Sequence, residues 1–100
     1  MRFNDFGVIG EIDNLPGCSQ IAVFHSVFLP QELRGQGLGH KAHDARLKRA
    51  RELGYQVAVC TVVGDNHAQR QILKEYGWDL CLHFKSNKTD HYVELYTKEL

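Results

Sequence analysis

Residues 29–40 read Leu29-Pro30-Gln31-Glu32-Leu33-Arg34-Gly35-Gln36-Gly37-Leu38-Gly39-His40, and the segments on either side of them decide the fold. Before them, Gln20–Leu29 (QIAVFHSVFL) is rich in β-branched and aromatic residues, which suit a pleated, half-buried strand. Pro30 ends that strand, because proline cannot donate to a ladder. After them, Leu38, Ala42, Ala45, Leu47, Ala50 and Leu53 recur at approximately helical spacing, so Leu38–Leu53 reads as an amphipathic helix that Gly54 stops. Glycines between a strand and a helix let the backbone approach a ligand and turn its amides inward. The helix aims its free N–H groups and positive dipole end at the same point. That combination binds phosphate or pyrophosphate. Each anion–dipole contact contributes only about 0.3–1 kcal/mol, so several must act together.

Working outward, Phe6–Asp13 (FGVIGEID) alternates loosely and reads as a strand, and Asn14-Leu15-Pro16-Gly17 carries turn chemistry. Tyr55–Val63 (YQVAVCTVV) is nearly all apolar, which predicts a strand buried on both faces in mid-sheet. Gly64 breaks it, and Asp65 or Asn66 can cap a second helix running to about Tyr76. Trp78–Phe84 and Tyr92–Lys98 are two closing strands, joined by the polar stretch Lys85-Ser86-Asn87-Lys88. The predicted order is β-β-α-β-α-β-β in one domain, residues 1–100. Strand, crossover helix and strand point to a mixed α/β sheet with a central βαβ unit.

Spacing within the loop separates three kinds of phosphate cradle. A Walker loop needs Gly-Lys-Ser/Thr, whereas this one ends Gly39-His40-Lys41; a dinucleotide fingerprint needs G-x-G-x-x-G, whereas this is Gly35-x-Gly37-x-Gly39. The remaining pattern, Arg/Gln-x-x-Gly-x-Gly/Ala, is met by Arg34, Gly37 and Gly39. The stretch resembles the acetyl-CoA motif of the GNAT superfamily. A second segment, Asn66-His67-Ala68-Gln69-Arg70-Gln71-Ile72-Leu73-Lys74-Glu75-Tyr76-Gly77-Trp78, is similar to that family's next motif. There, an asparagine follows the central strand and a Gly-aromatic pair closes the helix. The resemblance runs from Gln20 to the C-terminus, about four-fifths of the chain.

The resemblance implies a mostly antiparallel, acyl-CoA N-acyltransferase-like sheet and a cleft between the strands Gln20–Leu29 and Tyr55–Val63. In it, backbone groups of Phe28 and Leu29 would pair with pantetheine. Arg34, Gly35, Gln36, Gly37, Leu38, Gly39 and His40 would hold the pyrophosphate, and Asn66 would meet the cofactor arm from the far side. The implied reaction is direct attack of a primary amine on acetyl-CoA, which needs a general base. His25, on the strand face expected for Val27 and Leu29, is the candidate base. Family members often carry a tyrosine acid seven residues after the motif asparagine; here that position is Leu73, and Tyr76, one turn on, is the substitute candidate. The family's usual front, a strand and two helices, is represented by about nineteen residues. An open acceptor site for a small-molecule or peptide amine, or completion by a second copy in a homodimer, is therefore expected. The alternative to an enzyme is a non-catalytic CoA-binding or regulatory module.

Bulk composition narrows the partners. Twelve basic and twelve acidic side chains cancel, which disfavours nucleic acid and anionic membranes. The basic helix residues Lys41, Arg46, Lys48, Arg49 and Arg51 read as a solvated face, with Lys41 or Arg46 placed to meet the cofactor's adenosine phosphate. His40, His43 and Asp44 have metal-ligand spacing but no second cluster, so no metal is expected. Cys18, Cys60 and Cys81 are widely spaced, with Cys60 and Cys81 in apolar runs. This suggests buried, inert thiols and a cytoplasmic protein.

Overall fold

The computed structural model describes residues 1–100 and is built from a hairpin, a parallel crossover and a closing antiparallel pair. Strands β1 (Arg2–Asp5) and β2 (Val8–Leu15) form a hairpin across Phe6-Gly7. Both turn residues have positive φ, 58° and 86°, as a tight two-residue turn requires. The single strand expected over Phe6–Asp13 is thus a turn followed by a strand, and the order gains one strand at its start. Phenylalanine at positive φ has no sequence signal; the Gly7 amide donates to Asn4 Oδ1 (2.9 Å) to hold it.

Strand β3 (Cys18–Phe28) pairs antiparallel with β2. After a short 3-10 turn at Gln31–Leu33, helix α1 (Leu38–Glu52) crosses over to β4 (Val57–Val63), which lies parallel to β3. Helix α2 (His67–Glu75), β5 (Asp79–Lys85) and β6 (Tyr92–Glu99) follow. The six strands run β1-β2-β3-β4-β6-β5, antiparallel except for the β3–β4 pair. The expected mixed, mostly antiparallel sheet around a βαβ unit is what forms.

Both helices pack on one face of this sheet. Phe3, Ile12, Ala22, Phe24, Ala58, Cys60, Val62 and Tyr96 meet Leu47, Ala50, Leu73 and Trp78 there in a single core. Helix α1 reaches it with Ala42, His43, Arg46, Leu47 and Ala50, so its buried stripe includes two polar residues that apolar spacing passed over. Leu53, read as part of the stripe, is 48% exposed. The opposite sheet face carries no helix. Strand β4 is consequently buried on one face only, with Ala58, Cys60 and Val62 inside and Thr61 and Val63 exposed. This corrects the expectation of burial on both faces: central position and apolar composition did not bring a second layer. Cys81 is likewise exposed on edge strand β5, against expectation, while Cys60 is buried and its thiol is pushed up to about 12 by desolvation. No helix is long and apolar enough to cross a membrane.

Candidate functional site

Strands β3 and β4 stay paired only from Ile21–Val57 to Val23–Val59 and then part. The cause lies on the other side of β3. Between Glu11–His25 and Ile9–Phe28 one extra residue is inserted, and Ser26 sits at φ 57° in a bulge. A non-glycine residue at positive φ is held there by its surroundings at some cost. The gap so opened holds two connected hollows. One, of ≈ 220 Å³, is bordered by Phe24, His25, Ser26, His43, Arg46 and Cys60, among others. The other, of ≈ 490 Å³, runs past Val27, Phe28 and Leu29 to Arg34, Gly35 and Gly39 at the start of α1. Asn66 borders both.

The start of α1 is open and uncapped. Gly37, the N-cap, has φ 73° and Gly35 has φ 79°, and a Cβ on either would meet nothing within 4 Å. No side chain caps the helix and no acidic residue occupies its first turn, so the first amides remain free. Gly39 does a different job: a Cβ there would come 3.2 Å from Ile72 Cδ1, so the glycine lets α1 and α2 approach. Arg34 Nε donates to the Leu29 carbonyl (3.2 Å) and Gln36 to the Glu32 carbonyl (3.3 Å), shaping the loop from within. His40 points away, to Glu75 (2.5 Å), whose carboxyl is lowered by the Gln71 amide and by His40. Asn66 caps α2 by accepting from the Gln69 amide (3.2 Å), which leaves its side-chain NH2 free to face the cleft.

His25 is held between partners. Its Nε2 lies 2.6 Å from Asp13 Oδ2 and its Nδ1 lies 2.8 Å from Ser26 Oγ, with Glu11 Oε2 at 4.0 Å. The Asp13 carboxyl is lowered by the N-terminal amine first and by His25 second. A carboxylate only accepts, so it selects the tautomer with hydrogen on Nε2 and leaves the Nδ1 lone pair toward Ser26. Neither Asp13 nor Ser26 stood out in the sequence. Asp13 lies twelve residues away across a hairpin, and Ser26 acts through a bulge that no local pattern announces.

The other candidates fall elsewhere. Leu73 is fully buried in the core. Tyr76 donates to the His40 carbonyl (3.1 Å) and borders neither hollow, so it is not brought to the base; burial, then the charges of Asp44 and Glu75, raise its phenol. His43, inside the core, accepts from Trp78 Nε1 (2.9 Å), and burial lowers it to about 3. His40 and His43 therefore do not converge with Asp44. Arg46 was read as solvated or reaching the adenosine phosphate; it is instead 3% exposed, beneath the sheet between Phe3 and Phe24.

A β-bulge that splays two parallel strands thus stands beside a helix whose bare N-terminus follows a glycine loop. The model of the acetyltransferase (GNAT) family matches residues 6–78, and the chain belongs to that family. Among solved structures it is similar to yncA from Salmonella typhimurium with its cofactor acetyl-CoA (TM-score 0.80, 17% identity, covering 94% of this chain and 58% of that one). It is also similar to Ard1 from Thermoplasma volcanium (0.79, 16%, 93% and 62%). A third is the ribosomal-protein-S18-alanine N-acetyltransferase from Escherichia coli (0.78, 10%, 93% and 61%). At these identities the likeness is one of fold. The chain spans about three fifths of the length of these structures. No curated protein matches the sequence.

Proposed function

We propose that this protein is an acetyl-CoA-dependent N-acetyltransferase acting on a primary amine. The observation that carries the reading is the continuity of the bare α1 N-terminus with the opening between β3 and β4, which ends at His25. The free amides from Gly35 to His40 would hold the pyrophosphate, with Arg34 shaping the loop, and Phe28, Leu29 and Asn66 would line the pantetheine. Acetyl-CoA supplies an activated acyl thioester. The amine nitrogen forms a C–N bond to the acyl carbon as the C–S bond breaks. Its proton passes to His25 Nδ1, directly or through Ser26 Oγ, while Asp13 steadies the imidazolium. The thiolate is a good leaving group and takes its proton from solvent, since Tyr76 stands outside the cleft.

One observation favours the second reading, a CoA-binding module without turnover: the position of the usual acid is the buried Leu73. Turnover separates the two. Calorimetric titration with acetyl-CoA should give micromolar binding that Gly37→Trp abolishes. Gly17→Trp, at φ 83° in open space far from the loop, controls for backbone strain and should leave binding intact. An intact protein that binds no CoA ester sinks both readings. If it binds, His25→Gln should cut acetyl transfer to amines by about 10²–10⁴-fold with affinity unchanged; transfer at full rate removes His25 from the mechanism.

A homodimer is part of the same proposal, supported by the uncovered sheet face and by a formal net charge of zero, which sets no repulsion between copies. A cytoplasmic location is proposed from the three free cysteines.

A further inference from the structure

Arg46 is a charged side chain in the core that makes no contact ion pair, although the charge of Asp5 acts on it from farther away. It is 3% exposed, its Nε has no hydrogen-bond partner, and it enters no ion pair. The neighbouring carboxylate, Asp5, is engaged by Arg49 at 2.9 Å, and its own Oδ2 is unpartnered. The rings of Phe3 and Phe24 lie 5.5 and 5.8 Å from the guanidinium carbon, and Gly10 makes room for it: a Cβ there would come within 3.4 Å. The group is thus seated in a fitted aromatic slot and borders both hollows of the cleft. Arginine stays protonated in proteins, and removing an unpaired charge from water is among the costliest acts of folding. A leucine at this position would have continued the stripe of Leu47 and Ala50.

We infer that Arg46 is an anion-recognition residue at the floor of the cleft, and that the substrate carries a carboxylate which this guanidinium clamps. The planar fork of an arginine matches a carboxylate through two parallel N–H···O bonds. The anion is not the pyrophosphate. Arg46 stands seven residues past Gly39, about 10 Å along the helix from the free amides. Besides the larger hollow, it lines the ≈ 220 Å³ one together with His25 and Ser26, where the acyl group and the amine would meet. The carboxylate therefore belongs to one of two sources. It is the distal carboxylate of a dicarboxylic acyl thioester, or the α-carboxylate of an amino-acid acceptor. In both, the transfer keeps its balance: C–N forms, C–S breaks, the amine proton goes to His25, and the clamped carboxylate is unchanged. The inference rests on the acyltransferase reading and names its substrate class.

The test compares the folded protein with Arg46→Met, which keeps an unbranched apolar stem and loses the charge, and with Arg46→Lys, which keeps the charge and loses the fork. Titration with succinyl-CoA and acetyl-CoA is expected to show the former binding about tenfold tighter or more to the native protein. That preference should vanish in Arg46→Met and return in part in Arg46→Lys; this places the carboxylate on the donor. If the two thioesters bind alike, amino acids should be acetylated at least about tenfold better in kcat/KM than their decarboxylated amines, again lost in Arg46→Met. That places it on the acceptor. Neither preference in the native protein overturns the inference while leaving the acyltransferase reading standing. If no CoA ester binds, that reading fails instead. Succinate alone then decides: millimolar succinate raising the melting temperature of the native protein but not of Arg46→Met upholds the carboxylate site, and no rise overturns it.

Discussion

On one face of the sheet Ala58, Cys60 and Val62 lie under the helices at 0–5% exposure; on the other, Val63, Leu82 and Phe84 remain 45–53% exposed in the same strands and their neighbours. The covered face also holds the buried polar residues, His43 and Arg46, whereas the open face displays Glu11, Asp13 and His25 within reach of one another. Alternation assigns a residue to a face, but only a second layer makes that face a core. The cleft runs between the two environments. It joins a desolvated guanidinium on one side to a half-exposed imidazole on the other, so the faces differ in what chemistry they can host as well as in stability.

The sharpest way to break this contrast is by truncation. Leu47→Ala, at 2% exposure under the sheet, should cost about 2–5 kcal/mol in urea unfolding, and Leu82→Ala on the open face less than about 0.5. A loss at Leu82 that grows with protein concentration would show the open face covered by a second copy, and sedimentation would register the dimer.

Acid should reveal the covered face next. His43 titrates near 3 when folded against about 6.5 unfolded, with burial the leading cause and Arg46 the next. The unfolded chain binds the extra proton between those values, so stability is full above pH 6.5, falls as pH drops toward 3 and levels below it. The loss between pH 6.5 and 4.5 is about 2 kcal/mol. His43→Gln, which can still accept from Trp78, should flatten that slope; a slope left unchanged would assign it to other groups.

A smaller effect separates the two buried polar residues. With no ligand present, Arg46→Met should leave stability unchanged or raise it by about 1–2 kcal/mol, because a buried charge without an ion pair is replaced by an unbranched apolar side chain. Destabilisation by 3 kcal/mol or more would mean that Arg46 pairs with Asp5 in solution. The smallest effect belongs to the bulge: Ser26→Gly should gain about 0.5–1 kcal/mol by relieving positive φ. A loss instead would show that the Ser26 hydroxyl bond to His25 outweighs the backbone strain.

Much of the fold could be read locally. The glycine loop, the strand before it and the helix after it carry their own signals at fixed spacing, because turn chemistry and helix capping act over a few residues. So do β4 and the Asn66 cap, each found within about two residues of its place. The proposed role of the loop as an anion cradle rests on the same short-range logic. Other features depend on what meets across the sheet. Phe6-Gly7 turns because β1 finds β2, and Asp13 reaches His25 because β2 and β3 pair in a register with one residue inserted at Ser26. Arg46 looked like part of a basic, solvated helix face. The other basic residues of that helix are indeed exposed (Lys41, Lys48, Arg51) or half-exposed (Arg49), and only the docking of α1 beneath Phe3, Gly10 and Phe24 turned Arg46 inward. The amino-acid sequence by itself determined the family's loop, the element types and their order after the first hairpin. The tertiary structure alone decided which sheet face is covered, where the strands part and which charge is buried, since burial and register depend on partners distant along the chain.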